Sequence, residues 1–124
     1  MSPLTKHFHD AVLTLAGHAP IKQRLVTAYS EHLSGIHDED LPRRLLGRFA
    51  DLRRRLHGVT PLNGEGPVRA SVRKMSGPEA ADCARMIVGL YGELTRHDLA
   101  ASSGSLHLVR APELEEVPDF LLKS

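Results

Sequence analysis

Residues 76–94 read SGPEAADCARMIVGLYGEL, and this stretch decides the fold. Ser76 and Glu79 stand three apart, the spacing at which each side chain caps the other's backbone N–H at a helix start. Pro78 occupies the first turn, where a helix tolerates its missing donor. Behind this signal Ala80, Ala84, Ile87, Tyr91 and Leu94 recur at spacings of 4, 3, 4 and 3, one face of an α-helix. Cys83, Met86, Val88 and Leu90 widen that face, as expected of a helix packed from several sides. Gly89 and Gly92 weaken it by about 1 kcal/mol each against Ala, and close helix packing is the ordinary reason for such residues.

Working outward, three earlier stretches repeat one layout, a proline at the start and a glycine at the end. They are Pro3 to Gly17, Pro20 to Gly35 and Pro42 to Gly58. Proline's fixed φ suits the first turn, and glycine readily adopts the left-handed conformation that ends a helix. Apolar spacing agrees. Leu4, Phe8, Ala11, Val12 and Leu15 share a face, as do Leu25, Val26, Tyr29 and Leu33. In the third stretch Leu45, Phe49, Leu52 and Leu56 repeat at 4, 3 and 4, with Leu46 beside them. Ser2 is placed to cap the first helix, and Asp38 or Asp40 to support the start of the third. Gly58 to Pro67 is rich in turn residues, and Val68 to Met75 fits a helix of two turns.

The expected fold is all-α, a compact bundle of four to five helices over residues 1–99. Residues 100–124 form a Ser/Gly linker and an irregular C-terminal tail that is both acidic and hydrophobic. The linker is read from Ser102-Ser103-Gly104-Ser105 and the tail from Glu113, Glu115, Glu116 and Asp119 ahead of Phe120-Leu121-Leu122. Length fits one domain, and 41% apolar with 25% charged residues is ordinary for a globular chain. With three Phe, two Tyr and no Trp, the core is mainly aliphatic.

The single cysteine, Cys83, allows no internal disulfide and fits a core position on its helix. The apolar run Ala11–Ala16 follows His7, His9 and Asp10, with Lys6 the one basic residue ahead of it, which does not match a secretory signal. No run approaches the length of a membrane span. The expected location is the cytoplasm, without membrane attachment.

Charge is divided unevenly. Residues 1–40 carry a net −2 and residues 76–124 a net −4, whereas residues 41–75 carry nine basic groups against Asp51 and Glu65, a net +7. Arg44, Arg48 and Arg55 flank the apolar stripe of the third helix, and Arg43 and Arg54 lie opposite it. Arg69, Arg73 and Lys74 add to the same segment. Guanidinium forks favour carboxylate and phosphate. The expected function is therefore a non-enzymatic adaptor or regulatory protein that binds an acidic protein partner through the arginine-rich helix. The alternative is a nucleic-acid binder that uses those arginines with Arg69, Arg73 and Lys74 on phosphate. The absence of aromatic residues among the arginines favours the protein partner, because single-stranded bases are held by stacking. A coupled expectation is that residues 113–119 shield the basic face.

No enzyme signature is present. The eight histidines include no pair at the i, i+4 spacing of a zinc helix, so no metal or cofactor is expected. Gly64-Glu65-Gly66-Pro67 before a helix has the outline of a phosphate cradle. However, Pro67 removes a donor and Glu65 repels an anion, so a plain turn is expected. Ser76 follows a basic pair, Arg73-Lys74, but already serves as a cap.

Overall fold

The computed structural model describes residues 1–62 and 64–110, with side chains to residue 102. Every described element is helical: α1 (Pro3–Leu15), α2 (Ile21–Ala28), α3 (Leu46–His57), α4 (Pro67–Lys74) and α5 (Gly77–Arg110). A first compact unit spans Met1–Leu94 and holds the core, and a second begins at Thr95.

Local chemistry sets most boundaries. Ser2 caps α1 by accepting from the Thr5 N–H at 3.2 Å, with Pro3 in the first turn. Ser76 and Glu79 form the expected reciprocal box at α5. The Glu79 N–H donates to Ser76 Oγ at 3.1 Å, and the Ser76 N–H donates to Glu79 Oε1 at 2.8 Å. The Ser76 N–H, and after it the Ser76 side chain, hold the Glu79 carboxyl below its ordinary pKa. At the other end of α1, the Arg24 guanidinium donates to the carbonyl of Leu15, satisfying a terminal acceptor and fixing the α1–α2 turn.

Four boundaries differ from expectation. The second helix does not run evenly to Gly35. It widens into a π-helical turn over Tyr29–Leu33, closed by the Ser34 N–H on the Tyr29 carbonyl at 2.8 Å. Pro42 opens a 3₁₀ turn, Arg43–Leu45, rather than the α-helix itself. Neither acidic candidate caps α3: Asp40 accepts from its own turn's His37 N–H at 3.1 Å, and Asp38 accepts from Arg53 at 2.9 Å. Finally, the Ser/Gly stretch expected as a linker is α-helical, because α5 continues to Arg110. Its residues cost a helix at most about 1 kcal/mol each, and extending a formed helix is far easier than nucleating one. Residues 111–124, including the segment expected to shield the arginines, lie outside the described residues.

The closing glycines also act differently from the reading above. Gly58 follows α3 with φ −77°, on the right-handed side. Its role is close approach, since a Cβ there would sit 3.0 Å from the Arg54 carbonyl oxygen. Gly64, at φ +81°, is where a left-handed residue is required, in the turn closed by the Glu65 N–H on the Leu62 carbonyl.

The apolar stripes converge as their spacing requires. Phe8 of α1 and Phe49 of α3 meet edge to face with centroids 6.0 Å apart, and both are fully buried. Around them pack Leu25, Leu33, Leu45, Leu52 and Leu56, with Val72 from α4 and Cys83, Ile87, Leu90 and Leu94 from α5. Ser71 is buried yet satisfied, its hydroxyl accepting from the Val59 N–H at 3.1 Å to anchor the α3–α4 connection. Val88, counted from sequence with the broad apolar face of α5, points outward and is 48% exposed. No helix among the described residues is long and apolar enough to cross a membrane.

Candidate basic binding surface

The arginines of the Arg43–Leu45 turn and of α3 lie on two tracks. On the first, Arg44 donates to Glu93 of α5 at 2.9 Å, and Arg48 approaches the other oxygen of that carboxylate at 3.8 Å. Arg48 also reaches Gly89, where an added Cβ would stand 3.2 Å from its guanidinium. Arg55, further along the same track, acts electrostatically on Cys83 and Glu79. Numbers rising on α3 thus meet numbers falling on α5, so the two helices run antiparallel here. The side chains of Arg44 and Arg48 remain 53% and 51% exposed, against 25% for Glu93. Two cations around one carboxylate retain a net positive charge and outward-facing N–H donors.

The second track is Arg43 and Arg54. Arg43 is exposed in the 3₁₀ turn, and Arg54 pairs with Asp51 one turn back along α3. The structure thus separates the five arginines into a seam with α5 and an outer face.

Arg69, Arg73 and Lys74 belong to another surface. Arg73 forks onto Glu65, with Nη2 to Oε2 at 2.6 Å and Nε to Oε1 at 3.2 Å. That fork holds the Glu65 carboxyl below its ordinary pKa, helped by the Leu62 N–H and by the positive charge of Arg69. The Gly64–Pro67 stretch is therefore a turn whose acid faces inward onto Arg73, not a phosphate cradle. Lys74 is exposed at the end of α4.

The sequence reading passed over a further cluster. Arg53 stands 4.7 Å over the Phe49 ring while holding Asp38 and the Ile36 carbonyl. Beside it the buried Tyr29 hydroxyl meets His57 Nε2 at 3.1 Å, and burial raises the Tyr29 pKa. Period alone marks Tyr29 as core. Only the π turn together with the end of α3 brings it to His57.

Cys83 is buried, and burial raises its pKa above that of an ordinary thiol despite the opposing pull of Arg55, so thiolate chemistry is suppressed. No group of three or more His, Cys, Asp or Glu side chains among the described residues is arranged to hold a metal ion. Set beside family models, curated proteins and solved structures, the chain matches none of them.

Proposed function

We propose that this chain is a non-enzymatic helical adaptor or regulatory protein of the cytoplasm that binds an acidic protein partner through Arg43, Arg44, Arg48, Arg54 and Arg55. The observation that carries the reading is the position of Arg44 and Arg48 on the single carboxylate of Glu93. Two half-exposed guanidiniums are steered by one acid whose charge cancels only one of them. A partner carboxylate completes that pairing without first having to order the side chains. Arg43 and Arg54 extend the positive field around the helix. Phe49, the one Phe, Tyr or Trp of α3, is fully buried and so offers no ring for stacking on bases.

The test is fluorescence anisotropy with a labelled polyglutamate peptide and with nucleic acid of matched charge, at low and physiological salt. Polyglutamate is expected to bind, and the double variant Arg43→Glu/Arg54→Glu to weaken it by about tenfold or more. Tighter binding of nucleic acid, with the steep salt dependence of counterion release, replaces this reading with phosphate recognition. Flat curves for both probes refute the basic surface as a binding site.

A further inference from the structure

A second feature lies on a different side of the core. Between α2 and α4 runs an open cavity of about 410 Å³ whose lining includes Lys22, Val26, Glu65, Arg69, Val72 and Arg73. That volume is within the usual range of ligand-binding clefts. Its chemistry is two-part. Half-buried Val26 supplies an aliphatic floor, backed by Val72, which is buried in the core below. Lys22, Arg69 and Arg73 supply three cations around it, against the one carboxylate of Glu65.

The groove already holds a carboxylate in the manner it would hold another. Glu65 sits in the two-point fork of Arg73, delivered by a tight turn whose Gly64 is left-handed. Arg69 is exposed one helical turn before Arg73, on the same face of α4. Lys22 approaches from α2, donating to the Arg73 carbonyl at 3.3 Å. Once Glu65 has matched Arg73, Arg69 and Lys22 still flank the groove, with Glu79, outside its lining, also acting on Lys22.

We infer that the groove between α2 and α4 is a docking site for an acidic peptide segment of a partner protein, with an aliphatic side chain on Val26 and carboxylates on Arg69 and Lys22. Glu65 is then an internal competitor, occupying the Arg73 fork until a partner carboxylate takes its place. The site shares no residue with the arginines of α3, so it stands or falls separately from them.

The experiment titrates the full chain with a labelled peptide of glutamates and leucines, with an all-glutamate peptide and with a single-stranded oligonucleotide of equal charge. Circular dichroism checks that each variant keeps its helices. The glutamate-leucine peptide is expected to bind most tightly. Lys22→Ala and Arg69→Ala are each expected to weaken it by about fivefold to tenfold. Glu65→Gln removes the competitor's charge and is expected to tighten binding, which a merely structural role for Glu65 would not do. Lys6→Ala, which removes an exposed cation of α1 paired with Asp10 and outside both surfaces, is expected to leave this affinity unchanged. The inference is overturned by indifference to Lys22→Ala and Arg69→Ala, by weaker binding in Glu65→Gln, or by equal affinity for the two peptides. An oligonucleotide that outcompetes both peptides overturns it as well.

Discussion

The basic residues of α3 and those of α4 are close in sequence but work under different constraints. On α3 and the turn that leads into it the inner track lies along α5, where one acid, Glu93, meets Arg44 and Arg48. On α4 Arg73 faces a short turn that carries its own acid, Glu65, beside an aliphatic floor shared with α2. The same residue type is thus a seam component in one place and a groove rim in the other. What separates them is the neighbouring helix, not local charge density. A net charge summed over residues 41–75 treats the two as one patch, and the fold makes them two.

The sharpest way to test this division is to compare the two sides of α3. Its apolar stripe, not its arginine track, should hold it in place. Phe49→Ala is expected to cost about 3–5 kcal/mol in a denaturant titration, since it empties a fully buried site against Phe8. Glu93→Gln should cost no more than about 1 kcal/mol, because its partners are half exposed. In the same variant, polyglutamate should bind more tightly as Arg44 and Arg48 lose their internal acid. A loss for Glu93→Gln close to that for Phe49→Ala would break the comparison, making the seam a structural element of the first rank.

The smallest effect concerns pH. Glu79 has a folded pKa below its ordinary value of 4.5, held down by the Ser76 backbone N–H. Depression of an acid's pKa stabilises the fold above the unfolded value, and the contribution fades as pH falls below about 4.5 through the folded value. Glu79→Gln keeps a capping group without the charge. Its melting temperature is expected to fall slightly below the wild type at neutral pH and to converge with it in acid. A gap that persists at low pH would show that the cap acts through geometry alone.

The parts of the fold legible in sequence were those fixed by neighbours along the chain. The Ser76–Glu79 box, the Ser2 cap and the stripes of α1, α3 and α5 each depend on residues at most four apart, so spacing reveals them. The π turn was hidden because Tyr29 and Leu33 suit an α-helical stripe equally well, and only a shift of backbone hydrogen bonding by one residue distinguishes the two. The serines at 102, 103 and 105 read as a linker because composition ignores the helix that leads into them. For the candidate surface, sequence identified the basic residues but not their partners. Glu93 is 49 positions from Arg44 and Lys22 is 51 from Arg73, and only tertiary packing brings them together. The Tyr29–His57 contact was out of reach for the same reason.

Gly89 has a meaning beyond helix packing. A methyl group there would favour α5 by about 1 kcal/mol in propensity, yet it would stand 3.2 Å from the Arg48 guanidinium. The position therefore couples two quantities that are usually independent, the rigidity of one helix and the reach of a cation on another. Enlarging residue 89 would stiffen α5 and push Arg48 outward from its seat beside Glu93. A change on a helix outside the arginine-rich segment would then tune how that segment meets its surroundings, without altering one charge.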